Sequence, residues 1–391
     1  MTPIPRRRFL ASASAAATPM LGMGTLAHAS RATTSPTSQS APPLCSEAWQ
    51  LLAVAPQSRK VQALESDYRR GVELGLAQHT KVDVQLHWTA AAAIPSTAAK
   101  SIAAQLERLP QLHGVLGWIA PELERRIAVM TKAHGLPLWV SETGADRRVV
   151  PHSAAQPRAH MHHSLALCEC AEQLAHDVVH KHGSRAVMAI GWMESGYEFV
   201  TAFQQAYRAL GGQIVGRHIG GPRPQMQEFE GLRGEVFRNR PDTVVAFYSG
   251  PQAERFATWW QGNAQGQGAW DLAGLPPLMA GTNHAHHMLH TSSWPEASKA
   301  DPIWVQHFEQ ANLPWSAAAL LGAEAGYSIG HALGTVAGKP SSAQLASAWS
   351  QAQIAGPRGE VQSSNVVAMA RSSPTRPTRI SSGWLNGYLQ T

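Results

Sequence analysis

Histidine is the chemistry-bearing residue that stands out: nineteen in 391 positions, with three clusters. These are His160, His162 and His163; His176, His180 and His182; and His284, His286, His287 and His290. On a helix, His176 and His180 stand at i and i+4, a spacing at which two imidazoles can share a metal ion. No Cys, Asp or Glu ligand set accompanies that pair in the sequence, so the expectation is no metal and no cofactor. The run from Gly334 to Pro340 imitates a phosphate loop, but it has three residues between its glycines and Pro340 where a metal-binding hydroxyl is required. No Gly-x-Ser-x-Gly elbow occurs, and no Gly-x-Gly-x-x-Gly follows a predicted strand. Serines and carboxylates form no set that commits to acid–base or nucleophilic work, so catalysis is not expected.

The elements that must position a site repeat one unit. The apolar run 187–190, flanked by Gly183 and Gly191, predicts a buried parallel strand. Phe199, Phe203, Ala206 and Leu210 then recur at helical spacing until Gly211-Gly212, and Ile214-Val215 opens the next strand. Before it, strands are predicted at 49–55, 82–88, 113–119 and 136–140. Helices lie between them, one opened by Pro121 at the first-turn position that proline tolerates. After it come strands at 213–219, 243–248 and 278–280. The stretch 141–163 is irregular and polar, a boundary; 164–182 is predicted as a helix. Helices follow at 303–311, 313–337 and 341–350, then a turn into a strand at 356–361 and a strand at 366–370. Strands alternating with helices predict parallel sheets with right-handed crossovers, two of them. Ligands bind beyond the carboxyl ends of such strands, which directs attention to the loop 191–197.

Composition sets the remaining bounds. With 44% hydrophobic residues and a net charge of +6, the chain can build two cores and carries no concentrated basic stripe for nucleic acid. Arg6-Arg7-Arg8-Phe9-Leu10, a weakly apolar run and Ala27-His28-Ala29 predict a twin-arginine-type export signal over 1–29. A flexible leader over 30–46 follows, and nothing later is apolar for the roughly 18 residues that a span needs. The expected location is therefore the periplasm. Of Cys45, Cys168 and Cys170, the last two are poorly placed to pair on a helix; buried free thiols or a bridge from Cys45 remain open.

Taken in order, several segments resemble the type I periplasmic solute-binding proteins of ABC importers, of the leucine/isoleucine/valine-binding kind. They are Glu65-Ser-Asp-Tyr-Arg-Arg-Gly-Val-Glu-Leu, Gly114-Val-Leu-Gly, 185–212, Asp242-Thr-Val-Val-Ala-Phe-Tyr, 318–333 and Gly356-Pro-Arg-Gly-Glu-Val. The resemblance spans about 49 to 367. It implies an α/β fold of two doubly wound parallel-sheet lobes joined by a three-segment hinge. The implied first lobe is 47–160 plus 291–350, and the second is 161–290 plus 351–391. Implied ligand contacts come from Glu65, Trp118, Ala120, Ser141, Thr143, Glu194, Tyr197, Tyr248 and Asn283. Ala120-Pro121 stands where amino-acid-binding members place a serine, and Thr282-Asn283-His284 where they place an acidic residue. The implied role is capture of an amino acid, amide or related carboxylate and its delivery to a membrane permease. The same fold would serve a sensor that signals to a membrane protein, and the histidine clusters leave open a metal-binding protein or exported metalloenzyme.

Overall fold

The computed structural model describes residues 48–57, 63–91, 94–147, 160–221, 223, 227–264, 270–275, 288–295, 297–336, 341–351, 354–361, 364–365 and 381–385. The predicted export signal and leader, and the strands expected at 278–280 and 366–370, lie outside these residues.

The first half alternates β1 (Trp49–Pro56), α1 (Ala63–Ala77), β2 (Val84–Ala91), α2 (Pro95–Arg108), β3 (Gly114–Trp118), α3 (Pro121–Ala133), β4 (Leu138–Glu142) and β5 (His160–Ser164). The second half repeats it with α4 (Leu167–Lys181), β6 (Arg185–Ile190), α5 (Glu198–Ala209), β7 (Gln213–Ile219), α6 (Glu230–Asn239), β8 (Thr243–Phe247), α7 (Gly250–Ala264), β9 (Asp271–Gly274) and β10 (Met288–Ser292). Then follow α8 (Pro302–Gln310), α9 (Ala317–Gly334), α10 (Ser342–Gln351), the short hairpin β11 (Ile354–Gly356) and β12 (Gly359–Val361), β13 (Ser364–Asn365) and β14 (Ser381–Leu385).

Two sheets result, ordered β13-β5-β4-β3-β1-β2 and β14-β10-β9-β8-β6-β7. Five strands of each are parallel; β13 and β14 close their sheets antiparallel to β5 and β10. The expected fold class is therefore present: two doubly wound α/β lobes. Each sheet is covered on both faces, so β1, β6 and β8 are nearly continuous apolar runs. Trp294, in the stretch leaving β10, packs against a core cluster of each lobe.

Several strands run through stretches where none was predicted, β9 and β14 among them, and two of these, β5 and β10, cross an expected boundary. β5 occupies the expected boundary and pairs with β4 in the first sheet, so the helix begins at Leu167 rather than near 164. The 160/161 division runs through this strand. β10 pairs with β9 in the second sheet across the expected return at 291. Both are rich in His, Thr and Ser, yet both are buried. Of the C-terminal strands, β13 joins the first sheet and β14 the second.

The closest helix contact is α1 against α9. A methyl group on Gly71 or Gly75 would overlap the carbonyls of Ala319 or Ala323, and one on Gly322 or Gly326 those of Tyr68 or Val72. Backbone lies on backbone here, so neither side can yield. Gly75→Ala and Gly326→Ala are each expected to cost about 1–3 kcal/mol in urea unfolding. Gly234→Ala, in α6 with open space around it, should instead stabilise by about 0.5–1 kcal/mol.

Candidate functional site

In a doubly wound sheet, ligands lie where the strand order reverses, beyond the carboxyl ends of the strands. In the first sheet that point is between β1 and β3; in the second it is between β6 and β8. The loops concerned include 118–121 on the first lobe, and 191–197 and 248–249 on the second.

On the first lobe, Glu65 lies in the first turn of α1 and pairs with Arg69 at 2.9 Å; both are about one-third exposed. The Arg69 guanidinium lies 4.9 Å over the Trp88 ring. Tyr68 meets Trp88 and Trp118 edge-on, with centroids 6.5 and 5.8 Å away. Trp118 is half-buried at the end of β3, and Ala120 caps α3 in extended backbone, its carbonyl accepting from Leu123 and Glu124. The result is an aromatic rim with one cation and one carboxylate.

On the second lobe, the loop after β6 exposes Trp192, Met193 and Tyr197, between 38% and 42% each. Large apolar groups exposed on one short loop at a switch point make this a candidate binding surface. Glu194 turns the other way: it is buried, accepts a hydrogen bond from Ser249 Oγ, and leaves no room for a side chain at Gly191. Glu194, Tyr248 and Ser249 form the polar side of a depression whose apolar side is Leu167, Phe199 and Phe247. The Tyr248 hydroxyl is buried without a hydrogen-bond partner among the described residues, and desolvation followed by the charges of Glu228 and Glu194 raises its pKa. The pKa of Tyr197 is also raised, by desolvation, then Asp146, Glu194 and Glu122. Glu122 belongs to α3, so the loop of one lobe lies within electrostatic reach of the rim of the other.

The N-termini of α4 and α5 are satisfied by the chain itself. Thr143 and Gly144 carbonyls accept from Leu167 and Cys168 at the start of α4. Ala145 O and Asp146 Oδ1 accept from Phe199 and Glu198 at the start of α5, and Arg147 N donates back to Glu198 Oε2 at 2.9 Å. These amides would otherwise form an anion site. Thr143 Oγ1 accepts from Ala145 N at 3.2 Å and helps shape this segment.

Behind the rim lies a fully buried charge system. Glu324 is the one carboxylate of an Ala/Gly-rich helix, α9, and is completely covered. Arg358, in the β11–β12 turn, donates Nε to its Oε1 at 2.7 Å and Nη2 to its Oε2 at 2.7 Å. Arg358 Nη1 continues to Ser164 O at 3.0 Å and Ser293 Oγ at 3.1 Å, at the exits of β5 and β10 where the chain crosses between lobes. His163 Nε2 lies 2.6 Å from Glu324 Oε2. His163 Nδ1 lies 3.3 Å from Ser141 Oγ, which accepts from Tyr68 OH at 3.2 Å. Burial alone would raise the Glu324 pKa; Arg358 and the His163 hydrogen bond outweigh it and hold the carboxyl at about 2. Desolvation keeps His163 neutral, its pKa lowered despite Glu324. With Nε2–H donating to the carboxylate, Nδ1 is left to accept from Ser141. Ser141 is thereby fully buried and committed to this chain.

Sequence reasoning missed Glu324, Arg358, Ser293 and Asp146. The signal for the first was available: a lone charge in an apolar helix must find a partner. Asn283 and His284, His286 and His287 lie outside the described residues. His176 and His180 stack at 4.1 Å on an exposed surface, with His180 Nδ1 bonded to His176 O. Cys168 and Cys170 are free and buried, each thiol pushed up to about 12, chiefly by desolvation.

A scan against protein-family models finds no match, and a search of curated proteins finds no similar sequence. Solved structures do match. The chain has the fold of ABC-transporter substrate-binding proteins. One such protein from Sphaerobacter thermophilus is 18% identical at a TM-score of 0.66, over 81% of this chain and 89% of that one. A solute-binding protein from Rhodopseudomonas palustris BisB5, in complex with 3,4-dihydroxybenzoic acid, gives 15% and 0.65 over 81% and 88%. A substrate-binding protein from Desulfitobacterium hafniense, in complex with Leu, gives 17% and 0.59 over 80% and 92%. No helix among the described residues is long and apolar enough to cross a membrane.

Acid should weaken this fold in two stages. His163 has a folded pKa below its ordinary 6.5, so the stability it contributes is complete above 6.5 and declines as pH falls below that value. Glu324 has a folded pKa depressed from 4.5 to about 2, so its contribution is lost between those values. Unfolding free energy measured against pH should show both stages, and Glu324→Gln should abolish the lower one.

Proposed function

We propose that the chain is an exported receptor that captures a small organic solute between its two lobes and delivers it to the permease of an ABC importer. The observation that carries this is the pairing of rims: exposed Trp192, Met193 and Tyr197 on one lobe, and the Trp118–Tyr68–Trp88 group with Arg69 on the other. Solutes of similarly folded proteins, benzoate, 3,4-dihydroxybenzoic acid and leucine among them, combine an apolar body with a carboxylate. That chemistry suits an aromatic rim with an arginine.

In this reading Glu65, Trp118, Ala120, Tyr197 and Tyr248 meet the solute, Tyr248 through its hydroxyl. Ser141, Thr143 and Glu194 act from behind, holding hinge and helix termini in place. Asn283, between β9 and β10 in the sequence, would also contribute. The self-capped termini of α4 and α5 leave carboxylate recognition to side chains. Binding works by hinge closure: contacts made to both lobes at once favour the closed state, and the permease reads that state. No step of chemistry is needed, and the role is transport rather than catalysis.

Thermal unfolding of the full chain against benzoate, 4-hydroxybenzoate, leucine and an aliphatic amide tests this. A ligand at a hundredfold excess over its Kd should stabilise by about 2.7 kcal/mol. Trp118→Ala and Tyr197→Ala, one from each lobe, should each weaken that ligand at least about tenfold, about 1.4 kcal/mol. A panel without any shift, or variants that bind as well as the parent, would contradict the reading.

A further inference from the structure

Behind the cleft, on the face of the first sheet opposite the Glu324 system, two imidazoles and a carboxylate converge. His160 and His162 are alternate residues of β5 and therefore project to the same face, toward α3. Their Nε2 atoms lie 3.2 and 3.1 Å from a single oxygen, Oε1 of Glu124 in the first turn of α3. All three candidate ligand atoms lie within 4.8 Å of one another. The rings are 4.7 Å apart and tilted by 38°. His160 Nε2 is buried with no hydrogen-bond partner among the described residues, although it faces the carboxylate.

We propose that Glu124, His160 and His162 form a divalent-metal site of the zinc class. Three features support it. Tetrahedral zinc with ligands at 2.0–2.1 Å sets its donor atoms about 3.3 Å apart, close to the 3.2 and 3.1 Å that separate the two imidazoles from the carboxylate. Two neutral imidazoles and one carboxylate select zinc, nickel or copper, whereas calcium and magnesium prefer all-oxygen sets. The side chains are 5%, 2% and 12% exposed, so packing holds them in position before any ion arrives. Three protein donors leave one coordination position for water. An ion here would tie β5 to α3, and β5 carries His163 on its other face to Glu324. The site would then stiffen the strand from which the first crossing departs.

Glu124→Gln, His162→Gln and the double variant His176→Ala/His180→Ala provide the test, with the full, untagged chain stripped by chelator. Zinc is titrated calorimetrically, and cobalt is followed by its visible absorption. The parent should take up one zinc with high affinity and show the strong bands of four-coordinate cobalt. Glu124→Gln and His162→Gln should each weaken zinc by at least about 100-fold, since loss of mere supporting groups already costs 10–100-fold. Circular dichroism in chelator checks that both variants are folded; Glu124→Gln, at the least buried of the three positions, keeps the test open should His162→Gln fail to fold. The exposed-pair variant should bind as the parent does. Unchanged zinc affinity in a folded Glu124→Gln variant, loss of binding in the exposed-pair variant, or no binding by the parent would each overturn the proposal.

Discussion

The Glu324 carboxylate is completely covered and sits in a helix built mostly of Ala, Gly and Leu. An uncompensated charge there would cost several kcal/mol, so the fold depends on what reaches it. Arg358 reaches it from the C-terminal hairpin with a two-pronged contact, and His163 reaches it from β5. The remaining guanidinium nitrogen, Nη1, donates to Ser164 O and Ser293 Oγ, at two strand exits where the chain passes between lobes. One buried ion pair therefore fixes α9, the hairpin and these two crossings relative to one another. Trp294 adds an apolar contact to each core at the same place.

The small residues of α1 and α9 belong to the same arrangement. Gly71, Gly75, Gly322 and Gly326 let the two backbones touch, and so bring Tyr68 to Ser141. The chain of donors from Tyr68 through Ser141 and His163 to Glu324 runs from beside the aromatic rim to the hinge. A solute resting on Trp118 would press on the ring that stacks edge-on with Tyr68. The rim and the hinge are thus neighbours through one tyrosine.

Much of this was legible in the sequence, for physical reasons. β1, β3, β6 and β8 are buried on both faces and announce themselves as short apolar runs; α1, α3 and α5 carry apolar residues at helical spacing. β5 and β10 were not legible, because their buried residues are largely His, Thr and Ser rather than a continuous apolar run. His160 and His162 face Glu124, His163 faces Glu324, and none of these partners is near in sequence. The rim loops follow from strand order alone, since the switch point is a matter of topology. Which residue does what was harder. Ser141 was expected at the ligand and is sealed into the hinge network, and Thr143 shapes a segment that caps the second lobe. The positive helix ends look free in a linear reading and are taken by residues 143–146 in three dimensions.

Glu324 and Arg358 stabilise the fold only as a pair. Urea unfolding of the parent, Glu324→Leu, Arg358→Met and the double variant measures this directly. Each single variant should lose about 3–5 kcal/mol, because it strands the other charge. The double variant should regain much of that loss, leaving a coupling of at least about 2 kcal/mol. If the two losses simply add, the charges are independent and the hinge is held by something else.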